Sequence, residues 1–305
     1  MNRFPRGAAA LSVLLFACAA PRLDPAFDPE RSLAEVVALL QSGVDRDLYR
    51  FEPPADPTGE NLFRASLARL QRYGELVTDP AFQDSMRFAR ARAHERLLDF
   101  EAAERLYAEV AASQSPLQEH AALYLPFARS MAEIMRAPGR NEQDMQPDQL
   151  LLRLADQRQR LREVGQALGE DPRVCLVNLC IERLDVRERE FLWRTRALFP
   201  TGPKVALDAA RELIEDHVES RRVLEHSLRL ADMYSELARS YVAAVDPEGY
   251  DFDAAYARNL IQSASQIYAE VAAVDGRVER EEARAGLVSL EALTDRIQGM
   301  QGGPR

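Results

Sequence analysis

An all-α fold of stacked antiparallel helical hairpins is what this sequence predicts, and three observations predict it. The strong helix formers Ala, Leu, Arg and Glu dominate, while the 305 residues include only 14 glycines and 7% aromatics. Stretches rich in Val, Ile and Thr with period-two alternation are few, so little argues for sheet. Apolar residues instead recur three or four apart, and one such stretch occurs twice. Residues 99–112, DFEAAERLYAEVAA, return as residues 261–273, IQSASQIYAEVAA, with the last six residues identical. Phe100, Ala103, Leu106/Tyr107 and Val110 in the first copy, and Ile261, Ala264, Ile267/Tyr268 and Val271 in the second, fall on one helix face. A small residue one turn before a tyrosine lets a neighbouring helix come close, and the tyrosine fills the gap beyond.

The N-terminus reads as an address. Arg3 and Arg6 precede an apolar run over residues 8–17, which is too short to span a bilayer as a stable helix. The run ends Leu15-Phe16-Ala17-Cys18. It resembles a bacterial lipobox, with Phe16 larger than the residue usual at that place. That resemblance implies a signal peptide over residues 1–17, a diacylated Cys18 as membrane anchor and, with Ala19 next, the outer membrane as destination. Cleavage after Ala19 by the ordinary signal peptidase is the competing reading. Residues 18–31 carry three prolines and no apolar period, as a tether would.

The elements follow in order. Ser32 and Glu35 form a capping box that starts a short helix ending near Gln41. Residues 44–59, with three prolines, read as a loop, and a second helix covers about 60–77. Three junctions then place a capping side chain before a proline: Asp79-Pro80, Ser115-Pro116 and Asp171-Pro172. Each predicts a helix start, giving helices over 80–97, 116–136 and 172–198. The 100–112 helix lies between the first two. Residues 137–146 are polar, contain Pro and Gly, and separate a region over 32–136 from one over 147–299. A helix over 148–168 stops at Gly169. Residues 204–245 run without Pro or Gly and form either one long helix or two joined near 219–222. Helices over 252–273 and 277–297 complete the fold, and residues 300–305 read as a disordered tail.

Around residues 85–115 the chain resembles a tetratricopeptide repeat in Ala91, Asp99-Phe100, Ala103 and Tyr107, with Pro116 one position late for the closing proline. It departs where the repeat's large first-helix residues fall on Arg87, Arg90 and His94. The resemblance implies hairpins packed as a tetratricopeptide-like α-solenoid; a generic elongated helical bundle is the alternative.

No motif for chemistry accompanies this architecture. There is no glycine-rich phosphate loop, no nucleophile elbow and no paired-cysteine zinc motif. The four histidines lack metal-ligand spacing. His217 and His226, nine apart, fall on opposite sides of one helix and read as surface or packing residues. Cys175 and Cys180 are too far apart within one helix to bond and read as buried thiols; a disulfide between them is the alternative if the helix starts late. Carboxylates such as Glu101 read as i,i+4 surface partners of arginines such as Arg105. No catalytic residue, metal site or cofactor is expected.

A formal charge of −10 disfavours nucleic acid as a partner. One basic stretch stands out: Arg183, Arg187, Arg194 and Arg196 surround the only tryptophan, Trp193, as a candidate patch for an anionic partner or lipid head group. The expected function is an envelope-anchored scaffold or adaptor lipoprotein, holding other envelope proteins in the periplasm or at the outer membrane. A periplasmic small-molecule or lipid-binding lipoprotein working with a transporter is the alternative.

Overall fold

The computed structural model describes residues 29–40, 58–136, 146–247 and 249–301. Among them are eleven α-helices and no strand, so the fold is all-α. The helices are α1 (Pro29–Ala38), α2 (Glu60–Gly74), α3 (Pro80–Arg96), α4 (Phe100–Ala111), α5 (Gln118–Met135) and α6 (Pro147–Leu168). They continue with α7 (Val174–Thr195), α8 (Gly202–Asp216), α9 (Val223–Ala244), α10 (Ala254–Ala272) and α11 (Glu279–Gln301). Each packs chiefly on the next in the chain, and α1 and α9 also reach α3 and α11. Cys18, the tether up to residue 28, residues 41–57 and most of the polar 137–146 stretch lie outside the described residues. Residues 29–31, expected as the end of the tether, are instead the first turn of α1.

Local chemistry explains the sharper boundaries. Asp79 accepts from the Ala81 amide at 3.1 Å, and Pro80 occupies the first helical turn of α3. The α3–α4 turn is made without glycine: Leu98 takes φ 59°, and the Asp99 amide bonds back to the His94 carbonyl at 2.9 Å. Asp99 in turn caps α4 through the Ala102 amide at 3.3 Å. Gly169 ends α6 with φ 58°.

Several sequence expectations are corrected. Ser32 lies inside α1 and accepts from Arg69 of α2, so it is no cap. Ser115-Pro116 and Asp171-Pro172 form turns, and their helices start at Gln118 and Val174. Asp171 is occupied by Arg173, whose amide and guanidinium both bond to it, at 2.8 and 2.6 Å. The 204–245 run is two helices, broken at His217–Arg222. Helix α11 continues through Gln301, beyond the expected start of a tail. Pro126 sits inside α5, where it leaves the Ala122 carbonyl without its helical donor. Glu101 pairs across the helix interface with Arg136, at 3.1 Å, and not with Arg105.

Among the described residues, four apolar clusters form the core. The first joins α1, α2 and α3 around Leu33, Phe63 and Leu70. The second joins α3, α4 and α5 around Tyr107 and Ala128. The third joins Phe100, Phe127 and Met131 to Leu154, Leu161 and Leu176. It therefore spans both sides of the 137–146 boundary. The fourth fills α8 to α11 around Leu228, Ala231, Tyr268 and Leu290.

Candidate functional site

The two echoed helices, α4 and α10, place their matching residues alike. Ala103, Tyr107 and Val110 are buried, as are Ala264, Tyr268 and Val271. The likeness extends to a contact that spacing did not suggest. Tyr107 donates to Glu95 of α3 at 2.8 Å, and Tyr268 donates to Asp232 of α9 at 2.7 Å. Each tyrosine thus hooks onto a carboxylate of the helix before its own. On its other side Tyr268 meets Gly286 of α11 so closely that a Cβ there would lie 2.6 Å from the ring.

Around Tyr107 this becomes a buried polar group. Arg92 donates to the same Glu95 oxygen at 3.1 Å, with both side chains almost fully enclosed. The Arg92 guanidinium lies 4.6 Å from the Tyr124 ring, and Tyr107 stacks on Tyr124 at 5.6 Å. Arg173, from the turn before α7, also faces Tyr124 and Phe127. Burial raises the Glu95 carboxyl above its ordinary range against the pull of Arg92, and it raises the Tyr107 hydroxyl as well. The second Glu95 oxygen, Oε1, is buried with no hydrogen-bond partner.

A second polar row runs along α7. Glu182, Asp185 and Glu188 lie on one side at helical spacing, and partners from three other elements meet them. Glu182 Oε1 accepts from Ser220 and faces His226 Nε2, both at 2.6 Å. Asp185 takes His217 and Arg158, both at 2.9 Å. Glu188 takes the other arm of Arg158 at 2.5 Å. Burial works to raise the Glu182 carboxyl, but the His226 and Ser220 bonds outweigh it and hold it below its ordinary range. Burial raises Glu188, and the Asp185 bond raises the His217 imidazole. The break between α8 and α9 therefore brings the two histidines to one face of α7, each on its own carboxylate. They are packing residues, each within hydrogen-bond distance of an α7 carboxylate, not surface residues. The Ser220 hydroxyl donates to Glu182, so His226 is not positioned to take its proton. Among the described residues no group of three His, Cys, Asp or Glu side chains is placed to hold a metal ion.

The basic stretch does not form one continuous patch. Arg183 and Arg194 are exposed, while Arg187 is half-buried and engaged. Arg196 stacks on Trp193 at 3.9 Å and pairs with Glu236 of α9, so its charge is matched within the fold. Trp193 packs against the α8–α11 core. Cys180 is a buried free thiol, pushed up to about 12 by burial. Cys175 is exposed, contrary to the expectation of two buried thiols, and receives Arg96 of α3 at 3.3 Å. No helix among the described residues is long and apolar enough to cross a membrane.

Sequence reasoning missed Arg92, Glu95, Tyr124, Arg173, Glu182, Asp185 and Ser220. Their partners lie on other helices, and the only available signal was a carboxylate on an otherwise buried helix face. Comparison of the chain with protein-family models, with curated proteins and with solved structures returns no match.

Proposed function

We propose that this chain is a helical scaffold of a bacterial cell envelope, tethered by an acylated Cys18 and holding other envelope proteins along its flank. The observation that carries the reading is the packing order. Each helix leans mainly on its neighbours in the chain, so the stack keeps long helix faces outward, as repeat scaffolds do. The buried polar groups fit the same role. Glu95 and Tyr107, and Glu182 with His226, fasten one helix to another and are enclosed by the fold. The arginine-bounded apolar run ahead of Cys18 supports the tether.

Two measurements test the reading. Intact mass of the mature protein should begin at Cys18 and carry acyl chains; a mature chain beginning at Ala20 without lipid overturns the tether. Purification from detergent-solubilised envelope, through a tag at the C-terminus, should recover a stoichiometric protein that is lost in the R183E/R194E variant. Both positions are exposed, so their loss leaves the fold intact. Recovery of a co-purifying metabolite or lipid without any protein overturns the scaffold reading. Tyr107 is unsuited to this test because it is fully buried.

A further inference from the structure

We infer that the corner between α7 and α8 is a membrane-contacting tip that takes an anionic lipid surface. Leu198 and Phe199 are 65% and 62% exposed, and among the exposed large hydrophobics of the described residues they are the only adjacent pair. Val205, one turn into α8, adds a third apolar side chain at 46% exposure, and Pro200 and Pro203 lie between. Elsewhere, exposed apolar residues such as Leu123, Leu152 and Val288 stand singly on helix faces, which is ordinary.

The charges around this knob match a negative surface. The chain carries 49 acidic residues, yet none occurs between Glu190 and Asp208. Arg194 and Lys204 flank the knob, are exposed, and make no ion pair among the described residues. The third cation, Arg196, is held by Glu236 of α9 and by the Trp193 face. Two free cations beside an apolar tip suit the region where acyl chains meet phosphate head groups. A protein surface or a second copy of this chain, itself of formal charge −10, would also meet the apolar residues. Neither accounts for a corner segment without acidic residues, with its one neighbouring carboxylate, Glu236, taken up by Arg196, as directly as a surface of phosphates does.

The corner is also stiff. The Gly202 amide bonds to the Phe199 carbonyl at 2.9 Å. The Gly202 backbone lies against Arg196 so tightly that a Cβ would fall 2.1 Å from its carbonyl oxygen. Trp193, three residues before the corner's first turn, is fixed in the α8–α11 core. The tip is therefore held ready, and little ordering remains to be done on contact. Such a contact is weak alone and adds to a lipid anchor in the way a second signal does. It requires no acyl chain, so it stands or falls apart from modification of Cys18.

Trp193, the only tryptophan, gives a local readout. The full chain carrying Cys18→Ser is mixed with vesicles of phosphatidylglycerol and phosphatidylcholine, or of phosphatidylcholine alone. With anionic vesicles carrying a trace of dansyl-labelled lipid, Trp193 emission should be quenched by energy transfer to the nearby bilayer surface, and high salt should reverse the quenching. L198S/F199S should weaken partitioning by at least about tenfold, since a buried Phe or Leu contributes roughly that much. R194E/K204E should weaken it by more than about tenfold on anionic vesicles and leave it unchanged on phosphatidylcholine. Unchanged far-UV circular dichroism confirms that these exposed substitutions leave the fold alone. The inference is overturned if the protein sediments with vesicles while Trp193 emission stays the same, because the apolar run at residues 8–17 then does the binding. It is equally overturned if both variants bind like the parent, or if the knob proves to mediate a vesicle-independent dimer that L198S/F199S dissolves.

Discussion

Gly286 in α11 is where a single methyl group tests the packing argument most directly. Glycine in a helix interior costs about 1 kcal/mol relative to alanine, so Gly→Ala at an open site stabilises. At Gly286 the site is not open. The added Cβ would lie 2.6 Å from Tyr268 Cζ and 2.7 Å from both flanking ring carbons. Ordinary carbon contacts are about 3.5–4.0 Å, so something must move by about 1 Å. The ring cannot swing aside easily: it is buried at 2% exposure, and its hydroxyl is held by Asp232 at 2.7 Å. Overpacking of this kind costs about 1–3 kcal/mol, and the rigid obstacle places it in the upper half. After the helix gain, Gly286→Ala should destabilise by about 1–2 kcal/mol, lowering Tm by about 2–6 °C. Gly165→Ala in α6 is the matched control. There the Cβ meets only Val177 Cγ1 at 3.5 Å, so it should stabilise by up to about 1 kcal/mol. Urea unfolding followed by circular dichroism reads both. In a Tyr268→Ala background Gly286→Ala should itself become stabilising, a coupling that only direct contact produces. If Gly286→Ala stabilises the parent as much as Gly165→Ala does, the close approach of α10 and α11 is wrong.

Other expectations follow from the buried polar groups. Tyr107→Phe removes a donor from the enclosed Glu95 and should cost about 1–3 kcal/mol in urea unfolding; a neutral result refutes the Tyr107–Glu95 bond. His217 is held above its ordinary value of 6.5 by its bond to Asp185. Its contribution is therefore complete below that value and lost as pH rises through the folded-state pKa. The urea midpoint should fall over that window, and His217→Gln should remove this part of the fall; identical profiles refute it. Under native conditions a maleimide should label Cys175 and spare Cys180, so in a Cys18→Ser background Cys175→Ser should abolish labelling until the chain is unfolded.

What the sequence revealed, it revealed through local chemistry. Asp79-Pro80 marks the start of α3 because side chain and ring both act within one turn. The Ala-to-Tyr spacing of α4 and α10 marks their buried faces for the same reason. Ser32 and Asp171 carry equally good cap signals but are occupied by arginines, Arg69 from another helix and Arg173 from the adjoining turn, so neither starts a helix. The break after α8 has neither Pro nor Gly to announce it. His217 and Ser220 are instead drawn to Asp185 and Glu182, more than thirty residues earlier. Arg92 and Glu95 look like surface residues of α3 until α4 and α5 close over them. The basic stretch at 183–196 was visible as composition, yet only the fold separates its matched arginines from its free ones.

The corner between α8 and α9 bends because α7 holds it, and that has a consequence for how the chain comes together. An isolated peptide covering residues 202–244, with good helix formers throughout and no breaker after its first turn, should run as one continuous rod. The bend arises only once α7 is in place to receive His217 and Ser220. Helices α9, α10 and α11 pack chiefly on one another and can meet beforehand, so what waits for α7 is the docking of that bundle back onto α8. Backbone NMR chemical shifts of that peptide alone, and then with α7 joined to it, would reveal the difference: helicity should fall, not rise, at residues 217–222 when α7 is added.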